Sequence, residues 1–177
     1  MSTLKEFEIK FSGLKLGKHE FDFQLDKEFF EAFDYDEFEE VNLGVKVLME
    51  KKNNALEFDF TLKGSVKVPC DLTMELFDLS LDNTMTLLVK FGEEYDDTQE
   101  DILVIPQHDH KVSIAQFIYE LAVLSVPLKR IHPDVVSGKK GAEVLKKLEE
   151  MSPERTNQTN DENETDPRWD KLKSLLN

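Results

Sequence analysis

The chain has 177 residues, which is enough for one domain with a hydrophobic core plus extensions. No apolar run approaches the ~20 residues that a membrane-spanning helix needs, and an acidic residue stands near the amino terminus, where a signal peptide would be apolar. We therefore expect a cytoplasmic protein with no membrane span. The single cysteine, Cys70, excludes an internal disulfide and fits a reducing compartment.

The charge argues against non-specific binding to nucleic acid. The formal net charge is −15, and residues 1–132 carry most of it, with 27 Asp and Glu against 14 Lys and Arg. Because binding to DNA or RNA requires basic surface that displaces counterions, this body repels phosphates on average, and an RNA contact would have to be local. A basic protein partner suits it better. Solubility alone also explains such a charge, and the sequence leaves that alternative open.

The first 40 residues predict two strands and a short helix. Alternating apolar residues indicate a half-buried strand at 7–11 and a second strand at 21–25, which we expect to pair antiparallel with the first. Asp26 is placed to cap one or two helical turns over residues 26–33. The acidic run 34–40 then predicts a solvated connector.

The middle of the chain predicts a hairpin. Residues 41–49 and 56–62 alternate apolar and polar side chains around a Lys-Lys-Asn-Asn turn. The alternation keeps its phase past Gly64 as far as Leu76, so we predict one long strand with a bend or bulge at Gly64. Pro69 cannot donate to a strand ladder, which places it near an edge or at a bulge.

Two further strands follow this long strand. Residues 85–91 alternate as a strand, and residues 102–105 form a short apolar strand ended by Pro106. The acidic run 93–101 between them predicts a loop.

The sequence predicts one strongly apolar helix, over about 113–126, which ends before Pro127. Its start is indicated by a capping box and a hydrophobic staple: Ser113 with Gln116, and Val112 with Phe117. One face of this helix carries the residues that we expect in the core: Ile114, Phe117, Ile118, Leu121 and Leu124. The predicted fold is α+β, with a strongly curved, mostly antiparallel sheet that could close like a barrel, packed by this main helix.

The composition changes after the helix. Polar and acidic residues predict a flexible linker with a weak helix at 142–151. Near the carboxyl end, Asp166 as N-cap, Pro167 at the first helical position and an apolar stripe that includes Trp169 predict a short helix, which needs a docking surface. The chain thus divides into three predicted parts: a folded core (1–132), a flexible linker (133–165) and a docking helix (166–177).

No residue pattern indicates catalysis, a cofactor or a metal. His108 and His110 have a spacing that a strand could direct at one metal ion, but a third ligand is not evident. The acidic runs lack the alternation and central glycine of a calcium loop. Cys70 lies on the apolar face of its predicted strand, and the neighbouring Asp71 does not provide the positive setting of a nucleophile. We therefore expect a binding protein and not an enzyme.

Three segments of the chain carry a family resemblance. They are Gly64–Phe77, with Cys70 and Asp71; Ile118–Pro127, with Glu120 and Pro127 and followed by Lys129, Arg130 and His132; and Asp166–Leu175, which begins Asp-Pro-Arg-Trp. In this order they resemble the bacterial YceD family, the large ribosomal RNA subunit accumulation proteins. Thr73 stands where the family's second cysteine would be, and no cysteine follows His132. The remaining Cys70 and His132 are too few for a closed tetrahedral site, so we expect no metal.

The resemblance implies a part in the accumulation or processing of 23S ribosomal RNA and in assembly of the large ribosomal subunit, and it implies no known catalytic activity. Local basic and aromatic groups suit contact with that RNA, with a ribosomal protein or with an assembly intermediate. We predict this contact surface from five residues: Lys129, Arg130, His132, Arg168 and Trp169. Structural roles for Arg168 and Trp169 remain open. The competing function is a chaperone-like adaptor that binds a basic ribosomal protein through the acidic runs 34–40 and 93–101.

Overall fold

The computed structural model describes residues 3–99, 101–139 and 141–151. A 3₁₀ helix, Thr3–Phe7, comes first. The strands in this part of the chain are β1 (Glu8–Ile9), β2 (Gly17–Leu25), β3 (Glu40–Lys51), β4 (Ala55–Pro69), β5 (Leu76–Gly92), β6 (Asp96–Gln99), β7 (Ile102–Pro106) and β8 (Val112–Ser113). The helices are α1 (Lys27–Glu31), α2 (Ala115–Leu124), α3 (Pro133–Val136) and α4 (Ala142–Met151). The predicted α+β class is confirmed.

The large sheet is open. Its six strands lie in the order β2-β3-β4-β5-β7-β6, and all neighbours are antiparallel except β5 and β7. Strands β2 and β6 therefore form its two edges, so the sheet does not close into a barrel within the described residues. The mostly antiparallel pairing is confirmed. A separate two-stranded sheet joins β1 and β8.

The start of the chain pairs differently from the prediction. Strand β1 is only two residues long and pairs with β8, whereas β2 pairs with β3. The predicted pairing between the first two strands is therefore wrong. Phe7, placed by alternation in the first strand, instead ends the 3₁₀ helix. It packs on the sheet through its ring, whose centroid lies 5.1 Å from that of Phe23.

The central hairpin of β3 and β4 is confirmed, and its register is unbroken from Glu40 opposite Lys67 to Lys51 opposite Leu56. The prediction of a bulge at Gly64 is therefore wrong. Gly64 is needed for a different reason: its φ is +148°, and a Cβ there would lie 2.1 Å from the Asn42 carbonyl oxygen. Only glycine permits the two strands to approach so closely at this point.

The far end of β4 corrects two strand boundaries. Strand β4 ends at Pro69, and β5 starts at Leu76. Residues between them form a turn, so the predicted continuation of β4 to Leu76 is wrong. Strand β5 pairs antiparallel with the whole length of β4. The sequence predicted only the second half of β5. Alternation alone could not separate one long strand from two shorter ones joined by a turn.

Helix α2 covers the buried face of the sheet, as predicted, but it starts and ends inside the predicted range. Its N-cap is Ile114, with no side-chain cap, and Ser113 belongs to β8. The predicted capping box and hydrophobic staple are therefore wrong. Ala115, Ile118, Leu121 and Ala122 are buried, whereas Leu124 is 80% exposed. Leu124, the last helical residue, thus does not belong to the core that the periodicity assigned to it.

An aromatic cluster fills the space beside α1. Asp26 caps this helix as predicted, because its Oδ1 accepts a hydrogen bond of 3.0 Å from the Phe29 N–H. The rings that meet there are Phe29, Phe30, Phe33, Tyr35, Phe38 and Tyr119. They join the acidic connector, which carries Tyr35 and Phe38, to helix α2, which carries Tyr119. The connector is therefore anchored by its aromatic residues.

The chain forms two compact units, of which the first ends at Gly141 and the second starts at Ala142. The first unit includes α3, whose Val135 is buried. Within the second unit, helix α4 occupies the residues of the predicted weak helix. The predicted docking helix lies outside the described residues. In the described part of the chain, no helix is long and apolar enough to cross a membrane.

Candidate functional site

The turn between β4 and β5 holds the first of the family-motif residues. It is closed by two backbone hydrogen bonds: the Cys70 N–H donates to the Glu75 carbonyl at 2.9 Å, and the Met74 N–H donates to the Cys70 carbonyl at 2.9 Å. Met74 adopts a left-handed conformation with φ of 58°. The turn therefore exposes Met74 and folds the chain around the sulfur of Cys70, which is buried.

The segment after α2 lies directly against this turn. The Asp71 N–H donates to the Arg130 carbonyl at 2.8 Å, and the Arg130 N–H donates to Asp71 Oδ2 at 2.7 Å. The guanidinium adds an ion pair of 3.4 Å from Nε to Asp71 Oδ1 and one of 3.0 Å from Nη1 to Glu37 Oε2. Arg130 therefore joins three separate parts of the chain: the turn, the acidic connector and the segment after α2.

The buried sulfur of Cys70 accepts a hydrogen bond from the backbone. The His132 N–H donates to Cys70 Sγ at 3.3 Å. Burial raises the pKa of the Cys70 thiol, whereas hydrogen bonds to the sulfur lower it, and the balance brings the pKa from 9.0 to about 7. The groups that lower it are backbone N–H groups, those of His132, Leu72 and Thr73. The turn therefore stabilises a thiolate at a position closed to solvent.

The His132 side chain has a structural setting. It is the N-cap of α3, and its Nδ1 accepts a hydrogen bond of 3.0 Å from the Asp134 N–H. Its ring lies 5.4 Å from that of Phe77, and the side chain is 19% exposed. Because Nδ1 already serves as the cap, this nitrogen is not offered to a ligand.

The predicted site residues fall into three groups. The fold brings together Cys70, Asp71, Arg130 and His132, as described above. Lys129 is exposed beside them, Pro127 is exposed after α2, and Glu120 is half-buried within that helix. The remaining predicted residues, Asp166, Pro167, Arg168 and Trp169, lie outside the described part of the chain.

Two contributors to the site were missed from the sequence. Glu37 belongs to the acidic run that predicted a solvated connector, and Phe77 lies just past the predicted end of the long strand, near the start of β5. Both act through contacts with residues more than 50 positions away. The acidic run did hold one useful signal, because aromatic residues interrupt its charges and anchor it to the core.

A cleft lies on another face, between α2 and the edge strand β6. Its volume is about 550 Å³. Carboxylate, amide and aromatic side chains line it: Tyr95, Asp97, Gln99, Gln116, Phe117 and Glu120. The prediction of a loop over 93–101 is thus wrong in part, since Asp96–Gln99 form β6 and supply one wall.

The described residues hold no group of three or more His, Cys, Asp and Glu side chains that could bind a metal ion. His108 and His110 lie in the segment between β7 and β8. Among the described residues, neither this pair nor the pair of Cys70 and His132 belongs to a larger group of potential ligands. The site at Cys70 is thus a turn held to the segment after α2 by hydrogen bonds. Its polar contacts are the hydrogen bond to the sulfur and the ion pairs of Arg130 with two carboxylates.

Fold and site together define an α+β protein in which a turn of the main sheet is tied to the segment after its covering helix. Residues 58–176 match the family model described as Large ribosomal RNA subunit accumulation protein YceD. This match covers more than half of the chain, so the chain belongs to the YceD family, as its motifs predicted. No curated protein matches it, and no solved structure matches it.

Proposed function

We propose that this protein is a non-catalytic factor in the accumulation or processing of 23S ribosomal RNA and in biogenesis of the large ribosomal subunit. The observation that carries the proposal is the match to the YceD family over residues 58–176, which includes the turn at Cys70 and the helix α2. A factor of this kind acts where ribosomes assemble, in the cytoplasm.

We propose a binding role and not a catalytic one because the chemistry of the site supports it. Catalysis needs a nucleophile, acid or base that can reach a substrate. Cys70 is buried, and Nδ1 of His132 caps α3. Both residues therefore support a rigid turn, which is useful for presenting a surface to a partner.

The proposed contact surface is a ridge formed by this turn and by residues 128–132 beside it. The predicted tail residues Arg168 and Trp169 belong to the same proposed surface. Lys129 is its exposed cation, and Leu128 beside it is fully exposed. Arg130 and His132 contribute by holding the ridge in place, because Arg130 is paired with Asp71 and Glu37. A phosphate contact from Arg130 would have to compete with two carboxylates, which weakens it as an RNA ligand.

The proposal is tested by depleting the protein from its native cell and measuring the ratio of 23S to 16S ribosomal RNA, with sedimentation of the lysate. We expect the ratio to fall and the protein to travel with precursors of the large subunit. Re-expression of the unchanged chain restores the ratio. An unchanged ratio on depletion, with no co-sedimentation, would contradict the proposal.

A second candidate is a chaperone-like adaptor for a basic ribosomal protein. It is favoured by the acidic cleft between α2 and β6 and by the pairing of Arg130 with two carboxylates, which reduces the charge that this residue offers to RNA. The two candidates differ in their ligand. Direct RNA contact is supported if large-subunit RNA fragments bind the chain at moderate salt and this binding is lost in Lys129→Ala. The adaptor is supported if the chain captures a basic ribosomal protein and neutralising the carboxylates of the cleft weakens that capture.

A further inference from the structure

We propose that the cleft between β6 and α2 is a docking groove for an extended, basic segment of a partner protein, which lies along β6 and places a lysine or arginine side chain between Asp97 and Glu120. This inference deepens the adaptor candidate and rests on it. It assigns to that function a specific site and a specific ligand chemistry.

The first support is the position of β6 at the edge of the sheet. Strand β6 pairs with β7 on one side only. Backbone groups on the other side of an edge strand are available to an added strand, and peptides are commonly bound in this way in the groove between an edge strand and a helix. The Thr98 N–H already donates to Asp96 Oδ1 at 3.0 Å, so an added segment would use the other outward-facing groups of β6.

The second support is the charge of the groove. Of the residues that line it, none is Lys, Arg or His. Glu120 is half-buried and accepts a hydrogen bond of 2.7 Å from the Gln116 side chain, and Asp97 accepts one of 3.3 Å from the Tyr95 hydroxyl. Neither carboxylate forms an ion pair with a described residue, so both are available to a cation from outside the chain. A partner's cation would supply the missing counter-charge.

Asp97 also acts on Tyr95. Burial raises the pKa of the Tyr95 hydroxyl, and the charge of Asp97 raises it further. The Tyr95 hydroxyl is protonated near neutral pH in any case, and it donates to Asp97. This hydrogen bond joins an aromatic ring and a carboxylate of the groove.

The third support is the apolar surface beside the carboxylates. Phe117 is half-buried in the groove, and the Tyr95 ring is 59% exposed at its rim. Lysine and arginine have long apolar stems below their charged ends, and these stems pack against aromatic rings. A groove with two carboxylates and two aromatic rings suits such side chains, whereas it repels a phosphate backbone.

The charge of the edge strand β6 also restricts which strands can pair with it. A short, acidic edge strand discourages pairing with another acidic strand, including β6 of a second copy of this chain. Asp96 and Asp97 would face like charges in such a pair. The same two residues attract a basic segment, so the features that block self-association favour the proposed partner.

The test uses the full chain and a fluorescein-labelled peptide, Thr-Val-Thr-Arg-Thr-Val-Thr, with binding followed by fluorescence anisotropy. We expect the double variant Asp97→Asn with Glu120→Gln to weaken binding by about tenfold or more, because it removes both carboxylates that face the cation. A peptide with Gln in place of Arg should weaken by a similar factor. A peptide methylated on alternate backbone nitrogens should also bind less tightly, because it cannot form a strand ladder.

The matched control is the double variant Glu20→Gln with Asp59→Asn. It changes the net charge equally, and it removes two exposed carboxylates that face Leu48 from both sides on the solvent face of the large sheet. We expect it to bind the arginine peptide within about twofold of the unchanged chain, since distant exposed charges are screened. Equal weakening in the control would overturn the proposal, because the attraction would then be general. Equal binding of the Gln peptide, or displacement of the peptide by an RNA oligonucleotide, would also overturn it.

The outcome separates this inference from the proposed function. If the peptide experiment succeeds but depletion leaves the ratio of 23S to 16S ribosomal RNA unchanged, the groove stands and the role in ribosome biogenesis is wrong. If depletion lowers the ratio and the Asp97 and Glu120 variant restores it as well as the unchanged chain, the biogenesis role stands and the groove is not its site.

Discussion

Asp71 and Arg130 hold each other through their backbones and their side chains together. Each donates its N–H to an oxygen of the other, at 2.8 and 2.7 Å, and the guanidinium Nε adds a contact of 3.4 Å to the same carboxylate. The two residues are 59 positions apart. Their pairing fastens the β4–β5 turn to the segment that carries Lys129 and His132, and it sets the position of the proposed contact surface.

Asp71→Ala should lower the free energy of unfolding by about 1–3 kcal/mol, because it removes a charge-assisted acceptor from the Arg130 N–H. Urea denaturation followed by circular dichroism measures the change. The control is Glu37→Gln, which removes an ion pair whose Glu37 side chain is 56% exposed. We expect it to cost no more than about 1 kcal/mol. Equal costs for the two variants would mean that the backbone bond to Asp71 is not the main tie.

The thiol of Cys70 should make stability depend on pH. Its pKa in the folded protein, about 7, lies below its ordinary value of 9.0. The folded state therefore favours the thiolate, so this contribution is fully present above about pH 9 and is lost as the pH falls through 7. We expect the unfolding free energy of the unchanged chain, relative to Cys70→Ser, to rise between pH 6 and pH 9 by up to about 2–3 kcal/mol.

Cys70→Ser is the matched reference for that measurement because the serine hydroxyl can accept the His132 N–H and does not ionise in this range. Other titrating groups contribute equally to the unfolding free energies of both proteins, so their contributions cancel when one free energy is subtracted from the other. The ultraviolet absorbance of the thiolate gives a second, direct reading of the pKa. A difference that stays flat from pH 6 to pH 9 would show that the sulfur remains a thiol.

Gly64→Ala should destabilise the protein by about 3 kcal/mol or more, since a Cβ would lie 2.1 Å from the Asn42 carbonyl oxygen and φ is +148°. Gly13→Ala provides the comparison, because a Cβ at Gly13 meets no atom within 4 Å. We expect that change to alter the unfolding free energy by less than about 0.5 kcal/mol. Similar urea midpoints for the two variants would contradict the tight approach of β3 and β4 at Gly64.

Phe30→Ala should cost about 3–5 kcal/mol, because Phe30 is 1% exposed and its ring meets those of Phe29, Phe38 and Tyr119. Phe33→Ala, at the half-buried edge of the same aromatic cluster, should cost clearly less. Thermal unfolding and urea unfolding both measure the difference. If the two variants lose the same free energy, the cluster does not act as a buried anchor for the acidic connector.

Local patterns in the sequence predicted the elements whose burial repeats along the chain. The β3–β4 hairpin and the inward face of α2 were predicted because alternation and helical spacing record which side of an element is buried. The Asp26 cap was predicted because it depends on a residue only three positions away. The family was also predicted, since its motifs are strings of sequence.

Errors arose where an element begins or ends. Alternation ran through the turn at 70–75 because Leu72, Met74 and Leu76 are apolar, although Met74 and Leu76 are exposed. The capping box at Ser113 was plausible in isolation, but Ser113 was taken by the pairing of β8 with β1. In each case a contact with a distant segment overrode the local preference.

The sequence by itself determined that this chain forms an acidic α+β domain of the YceD family, because charge, periodicity and motif order are written along the chain. Only the tertiary structure decided which charges are paired. It joined Arg130 to Asp71 and Glu37, enclosed the sulfur of Cys70, and left Asp97 and Glu120 together in a groove beside an edge strand. These outcomes depend on distances between residues far apart in sequence, and such distances exist only once the sheet and its covering helix have packed.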